Sequence, residues 1–316
     1  MELHNNHIGH SHGNEHHHEH HHEHHFDGSQ KMRTTFIVAI ILNLAFVFAE
    51  SGIGLWQNSL SLISDAGHNL SDVLSLALVL FAFHLAGKHS NSNYTYGYKK
   101  STILISLLNA IILLIAVGAI IAESIHKFMH PAQLNGAAIS WTAFVGIIIN
   151  GITTIMLMKG QKDDLNVRGA FLHMAADTLV SIGVVISGII IIFTGWTIID
   201  PLISIIIAVV ILITTWQLLI SSLRLSLDGV PQNIKPDEIL DAIKRQQHVS
   251  DVHHMHIWAI STKENALTAH IVIDNQHEDD DAIRVNIKNE LKQHGITHAT
   301  IEIETLNSQC SDSKCC

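Results

Sequence analysis

Six long apolar stretches constrain the fold of this chain more than any other feature. Each has about 20 or more residues, the length of helix that crosses a bilayer core of roughly 30 Å. They cover residues 34–56, 61–86, 101–123, 137–158, 169–194 and 198–222. Only 15% of the 316 residues are charged, against about a quarter in soluble domains. The sequence therefore predicts an all-α, six-helix transmembrane domain over residues 32–224.

The lysine and arginine residues indicate how these helices are oriented. They precede the first stretch and follow the second, fourth and sixth, whereas the alternate connections carry only Lys127. Basic loops favour the cytoplasmic side of a membrane. We therefore expect an integral membrane protein with both termini in the cytoplasm, and the short loops suit a bacterial inner membrane. The basic residues on the cytoplasmic side are Lys31, Arg33, Lys88, Lys99, Lys100, Lys159, Lys162, Arg168 and Arg224.

The composition changes after Pro231 to that of a small soluble domain. Residues 237–247 and 279–295 have helical periodicity, and residues 252–261, 266–274 and 298–306 have the patterns of strands. The order αββαβ predicts a small α+β, ferredoxin-like cytoplasmic domain over residues 228–306. Two tails complete the chain: a disordered, His-rich segment over residues 1–31 and a Cys-containing segment over residues 307–316.

Two H-x-x-x-D motifs contain half of the ionisable side chains at membrane depth. The second stretch has HNLSD, with His68 and Asp72, and the fifth has HMAAD, with His173 and Asp177. Residues four apart share a helical face, and a charge at the bilayer centre costs about 2.5–3.5 kcal/mol. Facing each other, the two motifs supply two nitrogens and two oxygens for a tetrahedral metal site. Asp65 shares the face of His68 and is either structural or part of an access path.

The chemistry of these ligands narrows the choice of ion. Magnesium and calcium take all-oxygen shells, and copper(I) favours cysteine or methionine, while the apolar stretches contain no cysteine. Zinc fits best, and cadmium, cobalt and iron(II) remain alternatives. Two carboxylates balance one divalent ion, and protons must leave the ligands before metal binds. Exchange of protons for metal is therefore the natural coupling.

Further metal ligands are available outside the apolar stretches. Twelve histidines lie between His4 and His25, in a segment that is either a solvated tail or a weak metal collector. The final segment either binds a soft ion or is a frayed tail with thiols. In the C-terminal domain, histidines and carboxylates on adjacent strands form either a second, regulatory metal site or an ordinary polar sheet face. These residues are His253, His254, His256, His270, Glu302 and Glu304.

The motifs SDAGHNLSD and HMAAD, the DP that opens the sixth stretch and the HIW of the first strand resemble the cation diffusion facilitator family. The resemblance covers about residues 32–306. It implies a homodimeric, zinc-exporting proton antiporter of the zinc-preferring branch, whose cytoplasmic domain dimerises and senses metal. It also implies two ligand sets: His68, Asp72, His173 and Asp177 for transport, and His253, His270 and Glu302, with Glu304 as a further candidate, for regulation. The His-rich loop that many members carry between helices four and five is replaced here by KGQKDDLNVR.

Other functional classes are less compatible with the sequence. A membrane metal sensor or store would use the same His-rich tail and soluble domain without transport. An intramembrane metallohydrolase would need an open coordination position, which four protein ligands do not leave, so we expect no enzyme. The net charge of −10 lacks the basic face that nucleic acid requires. The expected partners are divalent metal ions, protons, the lipid bilayer and a second copy of the chain.

Overall fold

A computed structural model describes residues 23–56, 60–129, 137–196, 198–274 and 280–306. Within these ranges the N-terminal part of the chain forms six long helices. They are α1 (Glu23–Trp56), α2 (Leu60–Ala86), α3 (Ser101–Met129), α4 (Ala137–Leu157), α5 (Leu165–Thr194) and α6 (Ile199–Ser226). Residues 1–22 of the N-terminal tail predicted over residues 1–31, and the whole C-terminal tail predicted over residues 307–316, lie outside the described residues.

Five of the six helices contain apolar segments long enough to cross a membrane. In α4 the described apolar segment, Phe144–Leu157, is shorter than a full span. Six spans were predicted. The described residues contain five helices of spanning length and one shorter apolar helix. The five segments are Met32–Trp56, Ala66–Ala86, Ser101–His126, Leu165–Ile191 and Pro201–Ser226.

Two helices begin earlier than the hydrophobic pattern predicts. Residues 23–31 were predicted as part of the disordered tail, but α1 begins at Glu23. Once a helix has nucleated, each further residue that joins it adds one backbone hydrogen bond. Helix α5 begins at Leu165 because the Asp164 side chain accepts a hydrogen bond from the Asn166 backbone N–H at 2.8 Å. This cap satisfies a helix-end donor that has no partner within the helix.

The membrane helices pack mainly through apolar side chains and a few hydrogen bonds. One buried group joins α1, α2 and α5 around Phe36, Leu76 and Met174. A second group joins α3, α5 and α6. The Ser106 and Ser222 hydroxyls lie 2.9 Å apart and fix the register of α3 against α6. Many large apolar side chains on the outer faces are exposed, as expected for helices that contact lipid.

The C-terminal part has the predicted element order αββαβ. Its elements are α7 (Pro236–Lys244), β1 (Val249–Ala259), β2 (Asn265–Ile273), α8 (Asp280–Gln293) and β3 (Ile296–Thr305). Strand β2 is central, antiparallel to β1 and parallel to β3. Both helices pack on the sheet through a core that includes Ile243, Leu267 and Ile287. Lys244 lies 3.1 Å from Asp251 and holds the pKa of that carboxyl below its usual range through a hydrogen bond.

The turn between β1 and β2 contacts the membrane helices. The Thr262 backbone N–H donates to Thr102 Oγ1 of α3 at 3.1 Å, and Lys99 lies 2.6 Å from Glu264. Lys263 Nζ lies 3.7 Å from Asp164 Oδ2, so it reaches the residue that caps α5. The C-terminal domain therefore touches the start of the helix that carries the second H-x-x-x-D motif.

Candidate metal sites

The two H-x-x-x-D motifs meet in crossed pairs. His173 Nε2 of α5 lies 2.6 Å from Asp72 Oδ1 of α2, and His68 Nε2 of α2 lies 3.4 Å from Asp177 Oδ1 of α5. Each histidine thus pairs with the aspartate of the other helix. The helices are antiparallel here, so the first residue of one motif is level with the last residue of the other.

The four side chains are close enough to share one ion. One ligand atom from each of His68, Asp72 and Asp177 lies within 4.8 Å of the others, and His173 Nε2 lies 3.9 Å from Asp177 Oδ2. Ligands at about 2.0–2.2 Å from zinc in a tetrahedron lie roughly 3.4 Å apart. The observed separations lie on both sides of this value, so small side-chain movements would complete a tetrahedral shell.

The site is buried at one level and open at the other. The side chains of Asp72 and His173 are 1% and 7% exposed, whereas those of His68 and Asp177 are 51% and 13% exposed. Among the described residues, Oδ2 of Asp72 and Oδ2 of Asp177 accept no hydrogen bond. A buried carboxylate oxygen without a partner is costly unless a cation or proton is present. The site therefore has unused capacity for positive charge.

Neighbouring residues orient the first motif. Asn69, directly after His68, donates from Nδ2 to Glu50 Oε2 of α1 at 2.8 Å. This hydrogen bond joins α1 to α2. It fixes the rotation of α2 so that His68 and Asp72 face α5. Asp65 lies in α2, but its side chain falls outside the described residues.

A second cluster lies on the sheet of the C-terminal domain. His253 of β1 is opposite His270 of β2, which is opposite Glu302 of β3. His270 Nδ1 lies 2.7 Å from Glu304 Oε1, and its Nε2 lies 3.5 Å from Glu302 Oε2. His253 Nε2 lies 3.5 Å from Glu304 Oε2. The structure thus brings together all four residues that the family resemblance indicated for this domain.

His254 also belongs to this cluster. The family resemblance did not indicate this residue as a ligand. Strict alternation along β1 would place His253 and His254 on opposite faces of the sheet. The β1–β2 register shifts between His253 and His256, and His254 has φ 48. At this irregularity His253, His254 and His270 come together as one group, and His270 also belongs to a second group with the two glutamates. The adjacent histidines were visible in the sequence, but the bulge was not.

Two family models match the chain. Residues 36–225 match the cation efflux transmembrane domain, and residues 231–306 match the cytoplasmic domain of cation efflux proteins. The chain belongs to the cation efflux family, which is the cation diffusion facilitator family. The resemblance found in the sequence is confirmed, and the chain is an integral membrane protein.

Three relatives are similar to this chain over most of their length. The chain is 37% identical over 274 residues to the "Cadmium, cobalt and zinc/H(+)-K(+) antiporter" of Bacillus subtilis (strain 168), which covers 85% of this chain and 88% of the relative. It is 35% identical over 277 residues to the "Metal cation efflux system protein CzcD" of Cupriavidus metallidurans, covering 87% and 88%. It is 33% identical over 271 residues to the "Zinc transporter ZitB" of Escherichia coli (strain K12), covering 85% and 86%.

Proposed function

We propose that this cation efflux protein is a secondary transporter that moves zinc out of the cytosol in exchange for protons, with cadmium and cobalt as further substrates. The observation that carries the proposal is the crossed site of His68, Asp72, His173 and Asp177. The names of its relatives support the substrates, since they include zinc, cadmium and cobalt. The name of one relative also includes exchange for H⁺ and K⁺.

The contacts in the site support exchange of protons for metal. The 2.6 Å contact between His173 Nε2 and Asp72 Oδ1 requires a proton between the two atoms. That proton must leave Nε2 before a metal ion binds there. Two carboxylates and two neutral imidazoles carry a charge of −2, so one divalent ion leaves the filled site neutral. A neutral filled site is favourable in a medium of low dielectric constant.

The same four ligands favour transport over the other classes of function. They would fill the coordination shell of zinc and leave no position for a reactive water, so hydrolysis is not supported. A metal sensor or store in the membrane would bind zinc at this site without moving it. Measurement of flux therefore separates the transporter from this alternative.

The architecture that we propose has one membrane span more than the five found among the described residues. We infer six membrane spans, because the 21 residues of α4 would extend about 32 Å at 1.5 Å per residue. The domains are then a His-rich tail over residues 1–31, a membrane domain over 32–224, a ferredoxin-like domain over 228–306 and a Cys-containing tail over 307–316. The match to a cytoplasmic domain supports termini in the cytoplasm, with the bacterial inner membrane as the location.

The C-terminal domain is proposed to regulate transport. The domain would join two copies of the chain in a homodimer, and the cluster of His253, His270, Glu302 and Glu304 would bind zinc when the cytosolic concentration rises. The contact between Lys263 and Asp164 offers a path from this domain to α5. The His-rich tail would collect metal without setting selectivity, and Asp65 would line the access path to the site.

Ion flux across a membrane tests this function. The full chain is reconstituted in proteoliposomes with a trapped pH indicator, and zinc, cadmium, cobalt, manganese or magnesium is added outside, with and without K⁺. We expect proton movement opposite to zinc, cadmium and cobalt, and little with manganese or magnesium. Tight zinc binding with neither zinc nor proton flux would instead support a sensor or store.

A further inference from the structure

A buried amide on α3 lacks hydrogen-bond partners. Asn109 is 6% exposed, and neither its Nδ2 nor its Oδ1 has a hydrogen-bond partner within the part of the chain that the structure describes. An amide that loses water without gaining a partner is costly, and most of all inside a membrane. A group of this kind in a native protein needs a compensating water, ion or ligand.

Asn109 lies about one helical turn from the level of His173 in the four-residue site. A side-chain Cβ built at Gly169 of α5 would lie 3.7 Å from Asn109 Cβ and 3.4 Å from Leu218 Cδ2 of α6. Helices α3, α5 and α6 therefore meet at this level. Gly169 precedes His173 by four residues, which is about one turn, or 6 Å, on the same face. Because Asp164 at the start of α5 contacts the C-terminal domain, Asn109 lies between that domain and His173.

A second buried polar group without a hydrogen-bond partner among the described residues lies farther along the bundle, on α6. Thr215 of α6 is fully buried, and its Oγ1 has no hydrogen-bond partner among the described residues. Thr215 precedes Leu218 by three residues, so it lies about one turn farther from the C-terminal domain and level with His173. Nearer that domain, the Ser106 and Ser222 hydroxyls pair with each other. Polar side chains thus follow one another between α3 and α6 as far as the level of the metal site.

A matched residue shows what a structural asparagine looks like in the same bundle. Asn43 of α1 is 2% exposed. Its Nδ2 donates to the Ala39 carbonyl at 2.9 Å and to Thr153 Oγ1 of α4 at 3.1 Å. These bonds join two helices. Asn109 makes no such bond, so interhelical adhesion does not explain its burial.

We propose that Asn109 is a passage residue, whose amide contacts the partly hydrated cation on its way between the C-terminal-domain end of the bundle and the four-residue site. The amide oxygen would replace one water of the ion, and the amide NH₂ would hold another water. A neutral ligand suits this task because conduction needs binding that is favourable enough for entry and weak enough for release. The inference rests on the proposed transport of divalent cations.

The substitution Asn109→Leu tests this role, with Asn43→Leu as its matched control. Leucine keeps the approximate shape and removes the amide. We expect Asn109→Leu to leave the thermal midpoint of the detergent-purified full chain unchanged or higher, because an unpartnered polar group is lost. Asn43→Leu should lower the midpoint, because Thr153 loses its partner. For Asn109→Leu, zinc turnover in proteoliposomes should fall about tenfold or more, with equilibrium zinc affinity unchanged.

The outcomes separate the passage role from the function on which it rests. If the unaltered chain carries no zinc, the proposed function fails. If the unaltered chain carries zinc and Asp72→Asn does not, the function and its site stand, and Asn109→Leu is then decisive. Turnover equal to that of the unaltered chain, a loss of stability like that of Asn43→Leu, or weakened equilibrium zinc binding would each overturn the passage role.

Discussion

The four residues of the proposed transport site differ in accessibility, and we propose that they differ in task as well. Asp72 and His173 are almost fully buried, whereas the His68 side chain is 51% exposed. A ligand at an open position meets the ion first and is the easiest to change without disturbing packing. We therefore expect His68 to contribute to the choice of ion more than to the stability of the bundle.

Replacement of His68 by aspartate should shift the range of transported ions from zinc toward manganese. The site would then offer one nitrogen and three carboxylates, and carboxylate ligands suit manganese better than imidazole does. We expect His68→Asp to lose zinc turnover and to gain measurable manganese turnover in the proteoliposome assay. His256→Asp, an exposed substitution on β1, is the control and should change neither. Unaltered exclusion of manganese by His68→Asp would show that His68 does not set selectivity.

Asp164 has two roles at the start of α5: it caps the helix, and it contacts the C-terminal domain. Oδ1 of Asp164 caps the helix through the Asn166 N–H, and Oδ2 faces Lys263 of the β1–β2 turn. The cap sets where α5 begins. The ion pair ties that beginning to the C-terminal domain.

Two substitutions of Asp164 separate these contributions. Asp164→Ala removes the cap and should destabilise the protein by about 0.5–2 kcal/mol. Asp164→Asn keeps a capping oxygen and removes only the charge that faces Lys263, so its effect on stability should be smaller. Hydrogen exchange at residues 165–170 and thermal unfolding in detergent measure both effects. Equal destabilisation by the two variants would contradict the separate role of the cap.

At the scale of elements, the sequence predicted the helices and strands whose position follows from hydrophobicity and its periodicity. The apolar stretches and the αββαβ order are confirmed as helices and strands, because apolar length and alternation directly reflect burial. The start of α5 was predicted too late, because the Asp164 carboxylate caps the helix ahead of a first turn that contains the polar Asn166 and Arg168. The position of His254 was not predictable, because a bulge depends on pairing between strands. The pairing of His173 with Asp72 was not predictable either, because it depends on how far α2 and α5 are displaced along each other.

At the scale of the whole molecule, two sets of candidate metal ligands lie in two domains that contact each other. One set lies between α2 and α5, and the other lies on the β1–β2–β3 sheet. The turn that joins β1 and β2 contacts Asp164, so the strands with the second set connect physically to the helix with the first. Regulation of transport by cytosolic zinc would use this connection.

The second set should bind zinc independently of transport. In a chain that lacks residues 1–22 and 307–316 and carries Asp72→Asn and Asp177→Asn, the zinc that remains bound should occupy the C-terminal domain. Adding His270→Ala should weaken this binding by at least about 10–100-fold, because His270 belongs to both groups of the cluster. Equilibrium dialysis measures the effect, and His256→Ala is the control. Equal binding with and without His270 would exclude the cluster as a zinc site.

The shared site of α2 and α5 is tested most directly by the initial rate of zinc uptake into inside-out vesicles under an imposed proton gradient. The rate is compared for the unaltered chain, Asp72→Asn, Asp177→Asn and the control Asp251→Asn in the C-terminal domain. We expect both membrane substitutions to reduce uptake by about 100-fold or more, while the control retains it, because neither helix alone completes the coordination shell. Near-normal uptake by either membrane variant would contradict a single zinc site made jointly by the two helices.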